Sequence, residues 1–115
     1  MITAREVYVV RNNNSTTIIY PDEDTRNYRF TLAFDVSDYY DGTVTLKLYF
    51  GKDQYNKKLI YSKSIDVSYS PGVNWFESIA GWELYHYAGF TTIKSILDYA
   101  GITGSSCYVC MTLVY

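Results

Sequence analysis

Two stretches of this chain alternate apolar and polar residues without interruption, and that alternation limits the fold more than any other feature. In the first, Tyr28, Phe30, Leu32, Phe34 and Val36 point one way, while Arg29, Thr31, Ala33 and Asp35 point the other. In the second, Val44, Leu46, Leu48 and Phe50 oppose Thr43, Thr45, Lys47 and Tyr49. Successive side chains of a strand leave opposite faces of a sheet, so each stretch is a strand with one face in a core and one in water. A helix would scatter the same residues around its circumference. One wet face per strand is the habit of antiparallel sheets.

The other segments extend this pattern. EVYVV and STTIIY flank Arg11-Asn12-Asn13-Asn14, which reads as a hairpin or a loop, and Pro21-Asp22-Glu23-Asp24 is a polar break. Asp41-Gly42 ends the loop between the two alternating strands. After a polar connection over 51–58, Leu59, Tyr61, Ile65, Val67 and Tyr69 share a face that Lys63 interrupts. Ser70-Pro71-Gly72 closes that strand, and CYVCMTLVY is the last one. Phe90, Ile93, Ile96, Leu97 and Ala100 instead follow helical spacing, with Thr91 or Thr92 as cap and Gly101 as the left-handed terminator. Residues 73–89 fit either a strand and loop or a short helix capped by Asn74 with Glu77 three positions on. Gly81 argues against a long helix there. The expected architecture is mainly β: a single domain, 1–115, forming an antiparallel two-layer β-sandwich of about six to eight strands with one short α-helix before the last strand.

Composition permits this fold without staples, because 48% of the 115 residues are apolar. A formal net charge of −2 and no basic stripe exclude an ordinary nucleic-acid binder. No apolar run is long enough for a membrane span or a signal peptide's apolar region, so a soluble chain with no membrane partner is expected.

Each residue that could carry chemistry also has a plainer structural role. Cys107 and Cys110 form a CxxC within a strand, where residues three apart face opposite sides about 10 Å apart, too far for a disulfide. A structural zinc would need two more ligands, and His86 is the only histidine. The expectation is two small apolar core residues. No nucleophile-elbow pattern surrounds any Ser or Thr, so His86 has no catalytic partner in sequence. Asp35, Asp38 and Asp41 before Gly42 invite a calcium reading, but ligands at alternate positions and a closing Glu are missing. Asn13-Asn14-Ser15 and Asn14-Ser15-Thr16 match the glycosylation pattern and read as an Asn-rich turn. No pair of carboxylates stands out for acid–base work, and no glycine loop would cradle a phosphate. No enzyme, cofactor or metal is expected.

Two features point to recognition. With 14 tyrosines and two tryptophans, a core of this size leaves some aromatics at the surface. Tyr39 and Tyr40 fall in the acidic loop, and Trp75, Trp82, Tyr85 and Tyr87 crowd the ambiguous segment, making these six the expected partner-binding residues. Charge is also segregated: from Tyr20 to Gly42 six acids face Arg26 and Arg29, and from Thr43 to Ser64 five lysines face Asp53. If these segments end at opposite poles, copies meet head to tail. The expected function is a non-enzymatic protein-binding or assembly module, structural or adaptor, of the kind found in viral or phage particles, acting on a protein partner or by self-association. The alternative is a carbohydrate-binding module that stacks glycans on its aromatics. A third is a small inhibitor of a host enzyme, which would share the aromatic surface.

Overall fold

A computed structural model describes residues 1–104 and 106–115. The strands are β1 (Ile2–Arg11), β2 (Asn14–Thr16), β3 (Tyr28–Val36), β4 (Tyr40–Asp53), β5 (Asn56–Tyr69), β6 (Gly72–Ala80) and β7 (Tyr108–Val114). Two antiparallel sheets result, one ordered β2-β1-β3-β6 and the other β5-β4-β7, consistent with the expected β-sandwich.

The two alternating stretches are β3 and β4, the strands that face each other across the core. Phe30, Leu32, Phe34 and Val36 from β3 meet Val44, Leu46, Leu48 and Phe50 from β4, all buried. Phe30 meets Phe50 edge to face with ring centroids 5.5 Å apart, and Phe34 meets Tyr69 of β5 at 5.2 Å. Burying each such side chain stabilises the fold by roughly 1.5–3 kcal/mol, so these two strands supply a large share of the drive to pack the sheets.

Three expectations are corrected. β5 changes phase midway: Leu48 lies opposite Tyr61 and Tyr49 opposite Leu59, so Ile60 is an extra residue, a β-bulge. The bulge turns Ile60 into the core and Leu59 outward, so Leu59 does not share the face of Tyr61 and Ile65. STTIIY keeps only two residues of strand, Ser15 and Thr16; the chain leaves the sheet after Thr16, and Ile19 alone returns to the core. Third, two helices precede β7, not one: α1 (Gly81–Tyr87) and α2 (Ile93–Ala100), in addition to a single 3-10 turn at Thr25–Asn27.

α2 follows the sequence closely. The Thr92 hydroxyl accepts the Ser95 N–H at 3.2 Å, and Gly101 adopts φ 74° at the C-terminus. α1 was hidden because its start is unusual. Ala80 occupies the N-cap and has no side-chain acceptor, so only the return half of a capping box forms, with Glu83 accepting the Ala80 N–H at 2.7 Å. Gly81 is the first helical residue, not a mid-helix breaker. A Cβ there would lie 1.9 Å from the Thr25 carbonyl oxygen and 2.5 Å from that of Tyr28, so only glycine lets α1 close on the 3-10 turn.

Candidate recognition surface

The six aromatic residues singled out from sequence fall into two groups at opposite ends of the sandwich. Tyr39, Tyr40 and Trp75 sit where β3 ends and β4 and β6 begin. Trp82, Tyr85 and Tyr87 lie on α1, beside the start of β3. The two ends of β3 are roughly 27 Å apart at about 3.3 Å per residue, so one compact ligand cannot touch both groups.

The first group is mostly spent on structure. Trp75 packs against Tyr69 with centroids 4.9 Å apart, and its indole N–H donates to the Ser70 carbonyl at 3.0 Å. Tyr40 meets Tyr115 edge to face and donates its hydroxyl hydrogen to the Thr43 carbonyl at 2.9 Å. Tyr39 is exposed, with its hydroxyl 3.0 Å from that of Ser68. These rings close the end of the core.

The second group rests on a rigid foundation. Arg11 donates from Nε and Nη2 to the two carboxylate oxygens of Glu23 at 2.6 and 2.9 Å, and the Tyr28 hydroxyl donates to Glu23 Oε1 at 2.6 Å. These bonds, the arginine's first, hold the Glu23 carboxyl down at about 2. Burial and the same bond push the Tyr28 hydroxyl up to about 12. The Glu23 and Pro21 carbonyls accept the Ile93 and Lys94 N–H groups, tying this loop to α2. From α1, Leu84 enters the core while Glu83 accepts from Lys63 Nζ at 2.9 Å.

On that foundation α1 turns Trp82 and Tyr87 outward. They are 47% and 68% exposed and pack on each other edge to face at 5.6 Å. Tyr85 is half-buried under the Arg26 guanidinium, 4.0 Å from its ring centroid. Beside Trp82 lies a shallow concavity of about 240 Å³ on the outer face of β3, where the β1–β2 turn meets the start of α1. Its walls include Asn12, Asn13, Arg26, Asn27, Arg29 and Trp82. Asn12 and Asn13 both have positive φ, 49° and 68°, as a tight hairpin turn requires, and Asn12 N–H is pinned to the Asn27 carbonyl at 2.9 Å.

Sequence reasoning missed Arg29 and the asparagines. In the sequence Arg29 is one residue of the wet face of a strand, and the Asn run is a turn. The usable signal is an arginine at the start of the outer row of β3, six positions from that row's only acid, Asp35, but its neighbours in the recess come from two distant segments, 10–13 and 80–82.

The remaining candidates are dispersed. Cys107 and Cys110 are both free, Cys107 lying just before β7, where burial pushes its thiol up to about 11. His86 is exposed beside Tyr85. Asp35 is engaged by Arg5 at 3.0 Å, and among the described residues no three His, Cys, Asp or Glu side chains converge as metal ligands. The acidic segment does not form one pole. Asp22, Glu23 and Asp24 lie at the helix-plugged end, where Lys52, Lys57 and Lys58 also sit, and only Asp35, Asp38 and Asp41 lie at the other. No helix is long and apolar enough to cross a membrane among the described residues.

No protein-family model matches this chain, and neither a curated protein nor a solved structure does.

Proposed function

We propose that this protein is a non-catalytic recognition domain that docks to a protein partner through α1. The observation that carries this reading is the placement of Trp82 and Tyr87, which pack on each other in water while Leu84 alone satisfies the core. Large rigid aromatics offer contact area at low entropic cost and are the residues that dominate binding energy at protein interfaces. A foreign partner is favoured over a second copy for two reasons. The divided acidic segment weakens head-to-tail attraction. Two of the four edge strands, β5 and β6, also carry inward charges, Lys63 bound to Glu83 and Glu77 bound by the Tyr69 hydroxyl, a device that discourages strand-to-strand pairing.

A photo-crosslinking residue placed at position 87, and as a control at Ser64 on the outer face of β5, tests the reading in extracts of the cells that express the protein. A discrete protein adduct from position 87, lost with Trp82→Ala and absent from position 64, is expected. Equal adducts from both positions overturn it. The concavity beside Trp82 favours a second reading, a saccharide ring laid on the indole, since asparagine amides both donate and accept. Glycan-array binding lost on Trp82→Ala, with no protein adduct, decides for that one.

A further inference from the structure

Four arginines occur in the chain, and three of them are matched to a carboxylate: Arg5 to Asp35, Arg11 to Glu23 and Arg26 to Asp24. Arg29 is the exception among the described residues. It stands on the outer face of β3 between Val10 and Ala80, in the wall of the concavity that Trp82 also lines. Arg26, on the same wall, keeps its charge partly committed to Asp24 at 2.8 Å. Asn12 and Asn13 contribute amides and no carboxylate. The concavity is thus a polar recess with one uncommitted guanidinium, rimmed by an exposed indole, and among the described residues no carboxylate pairs with that charge.

We infer that this recess receives an aspartate or glutamate side chain of a partner protein, paired with Arg29 while an adjoining apolar residue of the partner lies on Trp82. The inference rests on the protein-docking reading and names the chemistry of its partner. A guanidinium presents a planar fork of donors that matches a carboxylate in two parallel hydrogen bonds, and it sheds water more readily than an ammonium. The recess is preorganised: the Asn12–Asn27 backbone bond fixes one wall, and the Gly81 approach to Thr25 fixes the other. A peptide is favoured over an acidic sugar because Tyr87 packs on Trp82 edge to face, so the rim is a stepped aromatic surface suited to adjoining side chains and not one flat platform for a pyranose ring.

The test is a selection of random peptides displayed on phage against the purified chain, followed by affinity measurements on the synthesised winners. Winners carrying an Asp or Glu next to an apolar residue are expected, with binding weakened about tenfold by Arg29→Gln and again by raised salt. Replacing the peptide's acid by its amide should then cost nothing further in the Arg29→Gln protein, while Arg29→Lys should retain part of the affinity. Arg29 is exposed and unpaired, so these variants keep the fold, checked by an unchanged melting curve. Peptides that need Trp82 but ignore Arg29 overturn the inference and leave the docking reading standing. A set with no dependence on Trp82 overturns both. Oligogalacturonate binding through Arg29, with no peptide doing so, replaces the protein partner by an acidic glycan.

Discussion

The two ends of the sandwich are closed by different physics. At the end where β3 starts, two helices and a loop are locked by a charged hydrogen-bond hub at Glu23 and by a backbone contact that admits no side chain at Gly81. At the end where β3 finishes, aromatic rings do the closing: Tyr69 on Trp75, and Tyr40 on Tyr115, with hydrogen bonds from the Tyr69 hydroxyl to Glu77, from the Trp75 indole to Ser70 and from the Tyr40 hydroxyl to Thr43. The first arrangement is stiff and directional, and it holds a helix whose outer face is free. The second is adaptable, because ring contacts are less directional than charged hydrogen bonds, but it spends most of its aromatics on closure. The end that invests in polar locking is the one that can present aromatics outward.

The strongest way to break this contrast is Gly81→Ala. A methyl group 1.9 Å from a carbonyl oxygen of the Thr25 backbone cannot be relieved by a rotamer change, so α1 must leave the 3-10 turn and draw Leu84 out of the core. A loss on the order of 4 kcal/mol follows. Urea unfolding measures it, and hydrogen exchange should show protection lost first in α1. A variant as stable as the parent would show that the helix-plugged end is no stiffer than the other.

What could be seen in the sequence follows the same division. β3 and β4 were legible because each keeps one phase through the core, with every inward position apolar. β5 was legible only beyond its bulge at Ile60, since the extra residue inverts the pattern before it and makes Leu59 look buried. β6 places Glu77 inward and Phe76 outward, against the usual pattern, because the Tyr69 hydroxyl meets the acid inside. α1 was illegible for a related reason: WELYHY carries aromatics on both its inner and outer faces. The recess at Arg29 lay beyond reach, as it exists only where the β1–β2 turn and α1 meet over β3.

Acid should separate the two ends next. The Glu23 carboxyl titrates at about 2 when folded, against an ordinary value of 4.5, so its contribution is complete above the ordinary value and is lost as pH falls toward 2. Base attacks the same bond from the other side: the Tyr28 hydroxyl, ordinarily at 10.0, loses its proton only near 12, and stability declines across that interval. Glu23→Gln keeps the shape but removes the charge facing Arg11. It should lower the melting temperature by several degrees at neutral pH and flatten the decline below pH 4.5. An equally steep acid decline in the variant would place the titrating group elsewhere.

The smallest expected effect tests the aromatic end. Tyr40→Phe removes the hydroxyl that donates to the Thr43 carbonyl but leaves the ring against Tyr115. If closure there depends on ring contact, as the half-exposed setting implies, the loss stays below about 0.5 kcal/mol, because water replaces the missing donor at an accessible carbonyl. Tyr40→Ala, which removes the ring as well, should cost distinctly more, and the difference between the two variants isolates the stacking contribution. Urea unfolding of both variants gives the two numbers. Equal losses would mean that the hydroxyl carries the closure, and the two ends would then share one mechanism, polar locking, at different strengths.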